Sequence, residues 1–243
     1  MLALLIAAEL TVFAASSLRE PFEALGRDFE AAHQGDRVVF SFAGSQELRA
    51  QLEQGAPGDV YVSADARHAN ALFAQGLVGR PRACAHNQLA LVVPRGNPAH
   101  LKSLADLGLA ERVVLADRGV PAGLYAQDLL ERRGLWKAVL PHVVSRELNV
   151  RQVLTKVALG EADAGLVYQT DARQARAGQG GSHSGAGPAA VEELPLGPGA
   201  TVTAEYQAAR VTASRSPALA DAFLALVFSA PGRARLQAAG FLP

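Results

Sequence analysis

Short runs of strand-forming residues alternate with stretches of helical periodicity along almost the whole chain, and few architectures accommodate that order. LTVFAAS, RVVFSFAGS and DVYVSAD are each followed by a helical pattern, over residues 18–33, 47–54 and 66–75. The alternation returns in QLALVVPR, RVVLAD, VVS and AGLVYQTD, with helices read over 101–107, 123–133 and 150–159. Such an order predicts an α/β fold with mixed, mainly parallel sheets, and its recurrence predicts two lobes of similar build. TVTAEYQAARV reads as a further strand, and Leu219, Phe223, Leu226 and Val227 mark the core face of a helix over 217–228. RAGQGGSHSGAGPAA, residues 176–190, reads as an inserted surface loop. No repeat of fixed period is visible, which excludes solenoids.

With 243 residues, 49% of them hydrophobic, the chain has enough apolar material for one large core or two smaller ones. Lys plus Arg and Asp plus Glu both total 23, so no global field favours nucleic acid or an anionic membrane, and an anion must be attracted locally. A single cysteine, Cys84, excludes an internal disulfide and a cysteine-rich metal site. Residues 1–8, MLALLIAA, resemble the apolar end of a truncated export leader without its basic start; the alternative is an ordinary lead-in to the first strand. No other stretch approaches the ~20 apolar residues of a membrane span.

In four places an apolar strand stops at a small or polar residue and a helix begins, the position at which open α/β sheets bind ligands. Ser17 reads as the N-cap of the helix carrying Leu18, Phe22, Leu25 and Phe29, with Glu20 completing a capping box. Ser45 plays the same part before Leu48 and Leu52, with Gly44 permitting close backbone approach. Pro121 sets a turn that exposes the backbone N–H of Ala122, and Asn149 caps a helix whose early N–H groups, Val150 among them, stay free. Each alone is what any helix start requires. Converging, such ends hold a dianion without Lys or Arg, because each carries about half a positive charge and several unpaired donors. Convergence is a tertiary property and is not written in these segments.

Asp59 and Asp65 read as caps of strand ends or ligands of backbone, since a carboxylate repels an anion. Arg151 reads as a solvated first-turn residue; an organic-acid site would instead use it as a carboxylate clamp. Hydrolytic use of Ser17 or Ser45 lacks support: His33, His68, His86, His100, His142 and His183 stand in no GxSxG or HExxH context. A regulator's helix-turn-helix and basic patch are not visible either.

VFAASSL, SFAGSQEL, GAPGDVYVSAD, VPAGLYA, NVRQVL and AGLVYQTDA, in this order from Leu10 to Phe241, resemble the molybdate-binding proteins of ABC importers. The resemblance implies the type II periplasmic binding-protein fold, its two lobes joined by two crossover strands. Residues 9–87 and 208–243 would form lobe one and 88–207 lobe two. It places the anion's donors on Ser17 and Ser45, through hydroxyl and N–H, on the N–H of Ala122 and Val150, and on the Tyr168 hydroxyl. The ligand implied is molybdate or tungstate as an oxyanion, with no cofactor and no direct cation site. The partner implied is an ABC-transporter permease, reached by a monomeric, extracytoplasmic protein that closes about a hinge. Sulfate or another small anion is the alternative on the same fold. Ser16 beside Ser17, Gly44, Gln207 and the loop after Arg176 depart from the commoner family pattern. Neutral donors suit a fully ionised dianion, whereas phosphate near neutral pH brings a proton that needs an acceptor.

Overall fold

The computed structural model describes residues 8–176 and 191–243; the leader expected at residues 1–8, apart from Ala8, and the loop after Arg176 lie outside them. The chain divides into two compact units, Met1–His86 with Glu205–Pro243, and Asn87–Ala204. In the first, β1 (Glu9–Ala15) leads through a 3-10 turn (Ser16–Leu18) into α1 (Arg19–Ala32). Next come β2 (Arg37–Ala43), α2 (Ser45–Glu53), β3 (Val60–Ser63) and α3 (Ala66–Ala74). β4 (Arg82–Pro94) carries the chain across the unit boundary. The second unit continues with β5 (Val113–Ala116), α4 (Pro121–Arg132), α5 (Trp136–Val139) and β6 (Val143–Glu147). It ends with α6 (Val150–Ala158), β7 (Ala164–Tyr168), α7 (Gln169–Arg176) and β8 (Val191–Leu194). β9 (Thr203–Arg210) recrosses the boundary, and α8 (Pro217–Phe228) and α9 (Ala230–Ala238) return to the first unit.

In the first unit β1 runs parallel to both β2 and β3, and β9 is antiparallel to β3. Phe13 and Tyr61 from the sheet meet Leu48 and Leu52 of α2 and Ala69 and Leu72 of α3 in one buried cluster. Phe22 and Phe29 of α1 and Phe40 of β2 pack around Phe223 of α8, with ring centroids 5.5–6.2 Å from it. Edge-to-face contacts such as Phe29 on Phe223 add to area burial. Asp59 fastens this unit: Oδ2 accepts from the Thr11 N–H at 2.8 Å, and Oδ1 from the Ser214 hydroxyl at 2.6 Å and the Arg215 N–H at 3.1 Å. The carboxylate thereby ties β1 to the segment leading into α8.

In the second unit β5 lies parallel to β6 and β7, while β4 is antiparallel to β7 and β8. Every residue of β5 and β7 is buried, as strands covered on both faces require. Gly165 in β7 lets α6 approach, since a Cβ there would sit 2.9 Å from Val153 and 3.0 Å from Val157.

Two local readings change, and one helix is added. The helix expected over 101–107 is a 3-10 segment, Leu104–Leu109, where Asp106 takes the Lys102 and Ser103 N–H groups at 2.8 and 3.0 Å. Side-chain capture of backbone donors favours such short pieces. The run AGLVYQTD leaves the sheet at Tyr168, where α7 begins at Gln169 and Asp171 in its first turn accepts the Tyr168 N–H at 3.3 Å. Beyond Phe228, Ser229 caps α9 by accepting from Gly232, with Pro231 in the first turn, where its missing N–H costs nothing.

Candidate functional site

The parallel register supplies what the separate segments did not. Ala15, the last residue of β1, pairs with Ala43, the last of β2, so Ser17 and Ser45 each stand two residues beyond the same rung. Both are buried, at 2% and 1% exposure. The structure therefore brings these two expected donors to one edge of the first unit's sheet, at the carboxyl ends of adjacent strands.

Their local roles differ from the N-caps expected. α1 begins at Arg19 with Leu18 in the cap position and no side-chain cap, because the 3-10 turn intervenes. The Ser17 hydroxyl is instead 2.8 Å from the Tyr206 hydroxyl of β9. Ser45 is the first residue of α2, and Gly44 is the cap, its N–H donating to the Glu47 carboxylate at 2.9 Å. The Ser45 Oγ accepts from the Ala64 N–H at 3.0 Å, and the Tyr61 hydroxyl donates to the Ser45 carbonyl at 2.9 Å. Burial pushes the Tyr61 hydroxyl well above its usual range, so it remains a donor. Accepting from Ala64 uses one lone pair of Ser45 Oγ and leaves the hydroxyl its capacity to donate. The Ser45 and Gln46 N–H groups precede the first helical bonds of α2, which run from Glu47 and Leu48 to Gly44. Ser16 is also buried, at 7%, but the hydroxyl joined to Tyr206 is that of Ser17.

Ala122, Val150 and Tyr168 share the second unit, at the carboxyl ends of β5, β6 and β7. β5 lies between the other two: Ala116 pairs with Glu147 at the end of β6, and the Asp117 N–H donates to the Glu147 carbonyl at 2.8 Å. α4 starts at Pro121, and its first backbone bond runs from Leu124 to Val120, leaving Ala122 N–H ahead of the helical ladder. Gly123 makes this placement possible, because a Cβ there would lie 2.1 Å from the Asp117 carbonyl oxygen and 2.4 Å from that of Ala116. In α6, Asn149 caps by accepting from the Gln152 N–H at 3.1 Å, and Val150 is the first helical residue. Tyr168, 1% exposed, closes β7.

Arg151 is not the solvated first-turn residue expected. Its side chain is 19% exposed and its Nε lies 2.6 Å from Oδ1 of the fully buried Asp171. Asp65 caps α3 by accepting from the His68 N–H at 2.9 Å, and the buried Asp59 is spent on backbone and Ser214, so both carboxylates serve the scaffold. Tyr206, Gly123 and Asp171 escaped the sequence reading. A Pro-Ala-Gly start following a strand is the only local hint for Gly123, whereas Tyr206 lies 189 residues from Ser17.

Arg112 and Asp163 form a second charged feature of this unit, at 2.8 Å. Burial alone would raise the Asp163 carboxyl. The Arg112 guanidinium and the N–H groups of Arg112 and Glu111 outweigh it and hold the carboxyl below its usual range.

The chain as a whole is similar to known proteins. The chain is 38% identical over 239 residues to the molybdate-binding protein ModA of Mycobacterium tuberculosis, covering 97% of this chain and 85% of that protein. Among solved structures, the periplasmic molybdate-binding protein of Azotobacter vinelandii superposes with a TM-score of 0.79 at 23% identity, covering 96% and 99% of the two chains. The sulfate-binding protein SubI of M. tuberculosis also gives 0.79, at 19% identity, over 97% of this chain and 87% of that one. These two likenesses establish the periplasmic binding-protein fold. Residues 10–242 match the family of bacterial extracellular solute-binding proteins, and the chain belongs to that family.

Proposed function

We propose that this protein captures molybdate, and with it tungstate, as a tetrahedral dianion outside the cytoplasm and delivers it to the permease of an ABC importer. The observation that carries the reading is the placement of uncharged donors at the carboxyl ends of parallel strands: Ser17 and Ser45 in one unit, Ala122, Val150 and Tyr168 in the other. Similarity to a molybdate-binding protein over 97% of the chain supports the choice of anion. In this reading the dianion takes donors from both units, binds the closed form better than the open one, and so shifts the population toward closure. Each hydrogen bond to the anion replaces one to water, and donors fixed by the fold need no reorganisation. The protein acts as a monomeric carrier, not an enzyme, and needs no cofactor.

Calorimetric titration with molybdate, tungstate, sulfate and phosphate tests this. Tight binding of the first two, with sulfate and phosphate at least ~100-fold weaker, a gap of about 2.8 kcal/mol, is expected. Sulfate bound as tightly as molybdate would sink the assignment and favour a sulfate carrier on the same fold.

A further inference from the structure

Arg151 follows Val150 directly at the start of α6, and its guanidinium is held by Asp171 of α7 at 2.6 Å. The other oxygen of that carboxylate accepts the Tyr168 N–H at 3.3 Å. One fully buried carboxylate thus contacts the immediate neighbour of one proposed donor and the backbone of another. Capping alone does not call for a charge here, because an asparagine oxygen accepts a helix-start N–H equally well. Burying a carboxylate and a guanidinium together is costly, and replacing such a pair by neutral groups is often no loss to stability. The pair therefore needs a reason other than stability.

Electrostatics supplies one. An unpaired guanidinium beside Val150 would offer a forked, fully charged donor to any anion with oxygens to spare, protonated phosphate and carboxylates included. An unpaired Asp171 would repel a dianion through poorly screening surroundings. Joined, the two charges cancel, and selection is left to neutral donors at fixed spacing. We infer that Asp171 withholds Arg151 from the anion, and that this ion pair, by keeping the surroundings of Val150 and Tyr168 electrically neutral, sets which anions are accepted. The inference rests on the oxyanion-carrier reading above.

The test compares wild type with Asp171→Asn, Arg151→Gln and the double variant, titrated with molybdate and with inorganic phosphate at ~0.02 and ~0.5 M NaCl, where the Debye length falls from ~20 to ~4 Å. Asp171→Asn frees the guanidinium: the preference for molybdate over phosphate drops at least ~10-fold, and molybdate affinity becomes at least ~3-fold more salt-sensitive than in wild type. Arg151→Gln leaves the carboxylate bare and weakens molybdate binding by ~10-fold or more. The double variant, neutral at both positions, returns to within ~3-fold of wild type in selectivity and salt response. A merely structural pair predicts the opposite, with the double variant at least as impaired as either single one. That result overturns the inference, as does Asp171→Asn with wild-type selectivity and salt response. Should Asp171→Asn fail to fold, the double variant still decides by keeping or losing wild-type selectivity. Wild-type protein that binds no molybdate overturns the carrier reading and this inference with it; a binding wild type with unaltered variants overturns the inference alone.

Discussion

Ser45→Ala removes one oxygen that has two duties. Its hydroxyl accepts the buried Ala64 N–H at 3.0 Å, and in the proposed complex its proton goes to the anion. Losing a hydrogen bond to a charged group costs ~1.5–3 kcal/mol, which corresponds to ~12- to ~150-fold in Kd. Leaving the Ala64 N–H without that acceptor costs the free protein a further ~1–3 kcal/mol, about 2–4 °C of melting temperature per kcal/mol for a chain of this size. The two effects separate in a melting experiment with and without molybdate. At ligand 1,000 times the wild-type Kd, binding stabilises wild type by ~4.1 kcal/mol, but the variant by only ~1.2–2.6 kcal/mol. Calorimetry on the same samples gives the Kd directly. A variant that melts lower yet binds molybdate within twofold of wild type would remove Ser45 from the site and leave it a purely structural acceptor.

Three further outcomes are expected. Tyr206→Phe deletes the hydroxyl that meets Ser17 at 2.8 Å; urea unfolding should show a loss of ~1 kcal/mol, and calorimetry a several-fold weaker molybdate affinity, while an unchanged affinity would show that Ser17 needs no such partner. Gly123→Ala forces a Cβ to within 2.1 Å of the Asp117 carbonyl, so α4 must shift and stability should fall by ~3 kcal/mol or more with loss of binding; a well-folded, fully binding variant refutes the close approach. Because the folded Asp163 carboxyl lies below its unfolded value near ~3.9, its contribution is fully present above that value and is lost as pH falls through the lowered folded one. The stability advantage of wild type over Asp163→Asn should therefore be constant near neutral pH and shrink below pH ~4; a difference that does not change with acid would contradict the charge-based account.

Much of the fold was legible because its signals are local. Strand–helix alternation foretold both units, and the starts of α6 and α8 fell where Asn149 and Pro217 announced them, since caps and proline act within one turn. Misreadings arose where a contact from elsewhere changed the local outcome. Ser17 looks like an N-cap, but its hydroxyl reaches Tyr206 and a 3-10 turn separates it from α1. Arg151 looks solvent-facing on a helical wheel, yet Asp171, 20 residues on, draws it in.

The sequence by itself determined the alternation, the positions of most helix starts and, through its ordered similarity to solute-binding proteins, the family. These follow from interactions spanning a few residues or from similarity along the chain. Only the tertiary structure decided that Ser17 and Ser45 lie beyond the same rung, that Gly123 seats α4 on the end of β5, and that Asp171 occupies Arg151. Strand register and buried ion pairs join residues far apart in sequence, so they exist only once the chain has closed on itself.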